Sequence, residues 1–184
     1  MNYCVFGASS NQLEEKYLRA GFRLGECLAG RGHGIVFGGG SSGLMGAVAR
    51  GVRAAGGAEI VGIVPSFFNV DGILYPDCTE LLYTETMRER KRLMEERAAG
   101  FIITPGGIGT MDEFFETLTL RSLRRHEKPL AVLNTDGYYD SLAAMLDRMV
   151  EEHFLEEEAR ALCPFFAEPE ELAAWIAGAT ERRE

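Results

Sequence analysis

Residues 101–116 read Phe-Ile-Ile-Thr-Pro-Gly-Gly-Ile-Gly-Thr-Met-Asp-Glu-Phe-Phe-Glu, and this stretch decides the fold. Residues 101–104 are apolar or β-branched, which is typical of a short buried strand. Three glycines in the loop that follows allow its backbone to come close to a ligand. We expect a helix to begin at Thr110, with the unpaired N–H groups of its first turn facing the loop. A glycine loop before a helix N-terminus is typical of an anion site, and phosphate is the usual ligand.

Glu113 falls in the predicted first turn of that helix, and two interpretations of it are open. Thr110 and Glu113 have the spacing of a capping box, in which the glutamate bonds back to the N-cap N–H. In the other interpretation the loop holds a phosphate and Glu113 acts on the group attached to it. Spacing alone favours the cap, because capping boxes are far more common than active sites.

Composition indicates a single globular domain that covers residues 1–184, with a frayed end at 181–184. The formal charge is −9 and there are only three lysines, which argues against binding to nucleic acid or to anionic membranes. The four cysteines are scattered, so we expect no metal site, no disulfide framework and a reduced, cytoplasmic setting. We also expect no signal peptide and no membrane span, because no apolar run is long enough.

Strands and helices alternate along the chain. We predict strands at 3–6, 35–37, 60–64, 81–83, 101–104 and 130–133, and helices at 12–31, 44–55, 84–99, 110–125, 138–152 and 168–178. Pro65 is expected to stop the third strand, and residues 66–77 are predicted to be irregular. The pattern predicts an α/β fold with a mostly parallel sheet and helices on both faces. Ligands of such sheets bind beyond the carboxyl ends of the strands, which are here followed by glycine loops.

The segment Gly38-x-Gly40-x-x-Gly43 has the spacing of a dinucleotide-binding loop. That motif also requires an acidic residue at the end of the next strand, where this chain has Val64 and Pro65. No lysine followed by serine or threonine comes after the glycines, so the segment is not a P-loop either. We interpret it as a tight strand-to-helix turn at the edge of a site.

The charged helix after residue 84 places cations on its inward side. Met87, Met94 and Ala98 mark the apolar stripe, and Arg90 and Lys91 fall on the same stripe. Buried cations need an anion, which is either a bound ligand or the acids of a neighbouring element, and the sequence leaves both open. Arg88 and Arg92 are predicted to be solvated, and we assign no catalytic role to the histidines, which are His33, His126 and His153.

Several segments resemble one known family. Residues 105–113 resemble the PGGxGTxxE signature of the LOG ("lonely guy") proteins, and Arg90-Lys91 resembles their upstream Arg-Lys pair. Residues 38–46 resemble their GGGSxGLMG segment, and the similarity extends through residues 134–139.

The resemblance implies a Rossmann-like homodimer that hydrolyses the N-glycosidic bond of a nucleoside 5′-monophosphate, without a metal or organic cofactor. Cytokinin riboside 5′-monophosphates and AMP are the implied substrates, with free base and ribose 5-phosphate as products. Arg90 and Glu113 match the family's catalytic pair. The implied substrate contacts are Lys91, Gly106, Gly107, Ile108, Gly109, Thr110, Met111 and Asp112, and we add Ser9 and Gly40 at the same sheet edge as further candidates.

Two features leave the function open. Many LOG proteins have Trp-x-Gln where this chain has Leu120 and Ser122, so the preferred base is not determined. Relatives of this fold also bind molybdenum cofactor, so a non-catalytic nucleotide- or cofactor-binding protein is the alternative. A lysine decarboxylase, as such sequences are often labelled, would need pyridoxal phosphate on a lysine, and Lys91 is the only lysine near the predicted site.

Overall fold

Seven parallel strands form a single sheet in the structure, a computed structural model that describes residues 1–56, 58–68 and 73–182. The strands are Asn2–Phe6 (β1), Gly34–Phe37 (β2), Ile60–Pro65 (β3), Glu80–Thr84 (β4), Gly100–Ile103 (β5), Leu130–Leu133 (β6) and Phe165–Phe166 (β7). Their order across the sheet is β4-β3-β2-β1-β5-β6-β7, and all six neighbouring pairs are parallel. The predicted α/β fold is therefore confirmed.

Helices connect the strands on both faces of the sheet. They are Glu15–Ala29 (α1), Gly43–Ala55 (α2), Met87–Arg97 (α3), Ile108–Ser122 (α4), Asp140–Glu151 (α5), Glu157–Arg160 (α6) and Pro169–Glu181 (α7). Two single 3-10 turns, Ser66–Phe68 and Thr135–Gly137, follow β3 and β6. This is the doubly wound, Rossmann-like arrangement.

The alternating side chains of β1 contribute to two separate cores. Tyr3 and Val5 pack in one core with residues of α1, α2 and α7. Cys4 and Phe6 pack in the other core with residues of α3, α4 and α5. A strand that is buried on both faces must be apolar throughout, which explains why the strands read as continuous hydrophobic runs.

The chain changes direction across the sheet at β1. It passes from β1 outward to β2, β3 and β4, then returns to add β5 on the other side of β1. The carboxyl ends of β1 and β5 align, with Phe6 opposite Ile103, and the Thr104 hydroxyl donates to the Phe6 carbonyl at 2.9 Å. Connections diverge at such a switch point, which leaves a crevice at this edge of the sheet.

Some predicted boundaries were wrong. Strand β3 does end at Pro65, as expected, and includes this proline, aligned with Thr84, because a proline at a strand end removes no necessary N–H donor. Met87 is 40% exposed rather than buried, since it is the first residue of α3 and lies beyond the sheet, whereas Met94 and Ala98 are buried as expected. The short elements α6 and β7 were not predicted, and residues 69–72 of the segment predicted to be irregular lie outside the described residues, as do 183–184.

Helices α1 and α2 pack backbone to backbone, and glycines make this possible. A Cβ atom at Gly51 would lie closer than 3.0 Å to the Phe22 carbonyl oxygen, and one at Gly25 would be equally close to Val48 O. These atoms belong to main chains that cannot move aside independently. The close approach of the two helices therefore requires glycine at both positions.

We predict that Gly51→Ala lowers the free energy of unfolding. The added methyl group separates α1 from α2, at a cost of about 1–3 kcal/mol that exceeds the helix-propensity gain of about 1 kcal/mol. Urea denaturation followed by circular dichroism measures the change. Gly178→Ala in α7 is the matched control, because its Cβ would meet only Arg182 Nη1 at 3.6 Å. Equal effects of the two substitutions would contradict the packing explanation.

Candidate active site

The glycine loop after β5 ends at an open helix N-terminus. Gly107 is the N-cap of α4, and the first intrahelical bond runs from Met111 N to Gly107 O at 3.0 Å. The N–H groups of Ile108, Gly109 and Thr110 precede that bond, so the helix itself gives them no acceptor. Gly107, Ile108 and Gly109 are exposed. Free amide donors and the positive end of the helix dipole thus face solvent at the carboxyl edge of the sheet.

The predicted start of α4 and the capping interpretation of Glu113 were wrong. The helix begins two residues earlier than Thr110, because glycine at position 107 can serve as the N-cap. Thr110 is buried inside the first turn beneath Gly106. Glu113 is the sixth helical residue and lies in the second turn, where it cannot reach back to the N-cap N–H. Its carboxylate contacts Arg90 instead.

Arg90 and Glu113 form a mostly buried ion pair between α3 and α4. Arg90 Nη1 lies 3.5 Å from Glu113 Oε1, and the two side chains are 13% and 14% exposed. Arg90 Nε also donates to the carbonyl of Ile63 at the end of β3, at 3.1 Å. The guanidinium is therefore held by the sheet as well as by the carboxylate.

Burial raises the pKa of Glu113 from 4.5 to about 7. Arg90 and Lys91 lower it, and Asp112 and Glu116 raise it, but these effects are smaller than that of burial. The titration of Glu113 is consequently moved from the acid range to near neutral pH. A carboxyl group with this pKa can accept or donate a proton under physiological conditions, as general acid–base catalysis requires.

Lys91 is paired with two acids of α4. Its Nζ lies 2.6 Å from both Asp112 Oδ2 and Glu116 Oε2. Burial lowers the pKa of Lys91, but hydrogen bonds to Asp112 and Glu116 outweigh it and raise the pKa overall. Neighbouring acids thus contact both inward cations of α3, as one of the two interpretations expected, and ligand binding by the same cations stays a prediction. Arg88 and Arg92 are exposed as expected.

A cavity of about 360 Å³ lies between α3 and α4, next to the ion pair. Its walls include Phe6, Lys91, Phe101, Glu113, Thr117 and Leu120. This volume falls within the range of small-molecule sites. Leu120 faces the cavity, whereas Ser122 lines a separate groove. The carbon face of His126 also borders the cavity, but both of its ring nitrogens are buried, so the structure gives it no access to a ligand there.

The glycine segment after β2 is a tight turn, as predicted. The N–H groups of Leu44 and Met45 at the start of α2 are directed at the Ala8 carbonyl, at 2.9 and 3.4 Å. Two of the N–H groups in the first turn of α2 are thus paired within the protein. Gly40 forms an isolated bridge with Leu74, and Ser9 is exposed in the loop after β1. Substrate contacts of Ser9 and Gly40 stay predictions.

Two tyrosines that were not among the predicted site residues support the glycine loop. Tyr139 Oη donates to Thr104 O at 2.9 Å, and Tyr138 Oη donates to Gly106 O at 2.9 Å. The Asn134 side chain accepts the Tyr139 N–H at 2.6 Å and holds the turn that carries both tyrosines. The sequence feature that could have indicated them is a tyrosine pair directly after a predicted turn, at the same sheet edge as the loop.

Other kinds of site are not found in the parts of the chain that the structure describes. Within residues 1–56, 58–68 and 73–182, no group of three His, Cys, Asp or Glu side chains is placed to hold a metal ion. Over the same residues, no helix combines the length and the apolar character needed to cross a membrane.

The fold defines a Rossmann-like α/β protein, and its candidate site lies at the switch point of the sheet. Residues 45–176 match a protein family described as "Possible lysine decarboxylase". The chain is 42% identical over 159 residues to a rice (Oryza sativa subsp. japonica) protein, the probable cytokinin riboside 5′-monophosphate phosphoribohydrolase LOGL5, and covers 64% of it. It is 38% identical over 159 residues to the cytokinin riboside 5′-monophosphate phosphoribohydrolase LOG3 of Arabidopsis thaliana, and covers 74% of it. Each match includes 86% of the present chain. The chain belongs to the LOG family.

Solved structures with the same fold are more distant in sequence. The molybdenum cofactor carrier protein of Chlamydomonas reinhardtii superposes with a TM-score of 0.72 at 18% identity, with 98% of each chain covered. The molybdenum cofactor binding protein of Rippkaea orientalis gives 0.70 at 19% identity, with 96% of this chain and 94% of that chain covered. At this level of identity the likeness establishes the fold alone.

We predict that Tyr139→Phe lowers the free energy of unfolding by about 1–2 kcal/mol, because the buried Thr104 carbonyl loses its hydroxyl donor. Urea denaturation measures the change. Tyr83→Phe is the control, since Tyr83 is 49% exposed on the edge strand β4 and should tolerate the change. A Tyr139→Phe protein as stable as Tyr83→Phe would contradict the supporting role.

Proposed function

We propose that this protein hydrolyses the N-glycosidic bond of a nucleoside 5′-monophosphate, giving free base and ribose 5-phosphate. The observation that carries the proposal is the buried Glu113 carboxylate beside Arg90, on the same helix as the open amide donors of α4. Glu113 lies five residues after Ile108, which is roughly 7–8 Å along a helix axis. A phosphate at the N-terminus of α4 and a ribose beside Glu113 can belong to one nucleotide.

The names of the relatives support the same reaction. The rice and Arabidopsis proteins are named as cytokinin riboside 5′-monophosphate phosphoribohydrolases. Because the chain covers 64% of the rice protein, the comparison supports the activity through the shared part only. Cytokinin riboside 5′-monophosphates and AMP are the proposed substrates.

Phosphate binding belongs to the loop and the first turn of α4. We assign the 5′-phosphate to the exposed main-chain donors around Gly107, Ile108 and Gly109, where the helix dipole favours an anion. The remaining proposed contacts along this segment are Gly106, Thr110, Met111 and Asp112, with Lys91 beside Asp112. Their effect is to fix the ribose, which lowers the entropic part of the barrier.

Bond cleavage then depends on Glu113 and Arg90. As the bond between C1′ and the base nitrogen breaks, positive charge develops on the ribose, and the ionised Glu113 stabilises it. A water molecule attacks C1′, its oxygen bonds to C1′ as the bond to the base nitrogen breaks, and its proton goes to Glu113. Solvent water protonates the departing base and Glu113 returns its proton to solvent, so the net reaction adds one water across the bond. Arg90 holds the nucleotide and stabilises negative charge on the departing base.

The cavity between α3 and α4 is the proposed place of the base. Its volume of about 360 Å³ accommodates a purine, and Leu120 provides an aliphatic wall. A tryptophan at this position, as in many LOG proteins, would reduce the space. The volume and the aliphatic wall support adenine, with or without a substituent, as the proposed base, and the assay below measures which is preferred.

Two other functions receive less support. A pyridoxal phosphate enzyme needs a lysine whose pKa is lowered, but two carboxylates raise the pKa of Lys91 and hold it. The residues present therefore do not fit that cofactor. A molybdenum-cofactor carrier is suggested only by structures at 18–19% identity, and nothing in carrier function accounts for the buried Arg90–Glu113 pair.

We also propose that the protein is a cytoplasmic homodimer. All four cysteines are free and three are buried, which suits a reducing compartment. Helix α4 presents apolar side chains to solvent at Phe115 and at Leu123 directly after its end, which are 40% and 64% exposed. Such side chains are typical of a surface that is covered by a partner subunit.

The reaction is tested by incubating the protein with AMP and with isopentenyladenosine 5′-monophosphate and assaying the free base by chromatography. For the wild-type protein, kcat/KM is expected to rise with pH through about 7, since the raised pKa of Glu113 in the free protein leaves too little carboxylate below that pH. We predict that Glu113→Gln lowers kcat by about 100-fold or more and abolishes this pH dependence.

Glu96→Gln is the control for that prediction. Glu96 is an exposed residue of α3 that pairs only loosely with Arg92, at 3.8 Å, so the same chemical change there should leave turnover unaltered. Nearly full turnover by a folded Glu113→Gln protein would refute the catalytic assignment. Release of no base by the wild-type protein from either nucleotide would refute the proposed reaction.

The dimer proposal predicts a solution mass twice the 20.3 kDa of one chain. Leu123→Glu should shift the protein towards monomer, because a charge in an apolar interface is costly to bury. Light scattering after size-exclusion chromatography measures both. Tyr83→Glu, an equally drastic change at the opposite edge of the sheet, is the control. A wild-type protein with the mass of a single chain would contradict the proposal.

A further inference from the structure

The first glycine of the segment after β2 lies directly against the Arg90 guanidinium. A Cβ atom at Gly38 would be closer than 3.0 Å to Arg90 Nη2. The neighbouring glycines have a different reason for being glycine, since Gly39 and Gly43 have φ angles of 76° and 60°. Gly38 is not in this left-handed region, so its backbone conformation is one that alanine can adopt.

Each of the three guanidinium nitrogens of Arg90 thus faces a different element. Nε donates to Ile63 O at the end of β3, and Nη1 lies 3.5 Å from Glu113 Oε1 on α4. Nη2 lies over the bare main chain of Gly38, which follows β2. A planar group held at two nitrogens cannot move away from the third contact without loosening the others.

The other candidate reasons for glycine at position 38 do not apply. The turn conformation does not require it, as its φ angle shows. Two of the amides that a phosphate could use at the start of the following helix, Leu44 N and Met45 N, are directed at Ala8 O instead. The close approach of Arg90 is the constraint that remains.

We propose that Gly38 is a positioning residue, whose lack of a side chain allows the Arg90 guanidinium to reach its place beside Glu113. The functional consequence rests on the proposed hydrolysis, whereas the structural consequence does not. In this proposal the glycine-rich segment leaves space for the Arg90 guanidinium, although its spacing resembles a dinucleotide-binding loop.

The test is Gly38→Ala. The atom that must move is the end of a side chain, so the protein should keep its fold. Displacement of the guanidinium should lower kcat for AMP by about tenfold or more, because small misplacements of catalytic groups are costly. KM should change less, since the phosphate contacts lie on α4. Ser41→Ala is the matched control in the same segment, because the Ser41 hydroxyl donates to Ile73 O at 3.0 Å and, among the described residues, has no bond to Arg90.

A double-mutant cycle separates positioning from a general disturbance. Lysine has no Nη2, so in an Arg90→Lys background Gly38→Ala should change kcat by less than about twofold. Multiplicative effects of the two substitutions would overturn the proposal. If Gly38→Ala fails to fold, the double variant should fold, and failure of both would also overturn it.

The pH profile gives a readout that a purely structural role would not move. The charged and titratable groups that act on Glu113 are Arg90 and Lys91 on α3 and Asp112 and Glu116 on α4, with Cys4 of β1 beneath it. Of these, Gly38 touches only Arg90. The acid limb of kcat/KM should therefore shift in Gly38→Ala and stay in place in Ser41→Ala, and an unmoved limb in both would contradict positioning.

The two proposals can fail separately. If the wild-type protein releases no base, the proposed function fails. Crystal structures of wild type and Gly38→Ala still test whether Gly38 determines the position of the Arg90 guanidinium. Loss of the Arg90 Nε bond to Ile63 O in the variant alone is the expected result. An unchanged guanidinium in Gly38→Ala would overturn the inference even if the enzyme is active.

Discussion

A carboxyl group held out of water at the end of a parallel sheet is the constraint on which the site depends. Burial raises the pKa of Glu113 from 4.5 to about 7, and Arg90 at 3.5 Å offsets this only in part. Because the folded state binds this proton more tightly than the unfolded state, ionising Glu113 costs folding stability progressively between these two pH values, and in full above them. A residue kept at such a cost is typical of chemistry rather than of packing.

The doubly wound topology makes this arrangement possible. Helix α3 precedes β5 and helix α4 follows it. The two helices meet beside the crevice at the carboxyl ends of the strands. Lys91 joins the two helices through Asp112 and Glu116, while Arg90 is anchored to the sheet through Ile63. Tyr138 and Tyr139 support the glycine loop from the other side. Every one of these contacts joins segments that are distant in sequence or lie on different elements.

Local patterns were informative where one physical effect dominates. Short apolar runs placed β1, β2, β5 and β6 to within one residue, because strands buried on both faces have no alternative composition. The predictions were wrong where contacts with neighbouring residues or elements determine the local structure. Thr110 and Glu113 have the spacing of a capping box, but the N-cap of α4 is Gly107. The Glu113 carboxylate pairs with Arg90 instead. Strand β7 has two residues and exists only because β6 offers an edge to pair with.

The sequence by itself determined the α/β class, the open glycine loop before α4 and the resemblance to the LOG family, since these depend on local composition and order. It also placed Arg90 and Lys91 on the inward side of α3, because helical periodicity is a local property. Only the tertiary structure decided which acid each cation meets, how far Glu113 is removed from water and why residue 38 must be glycine. Those properties depend on atoms from β2, β3, α3 and α4 together, and the spacing of residues along a single segment cannot show them.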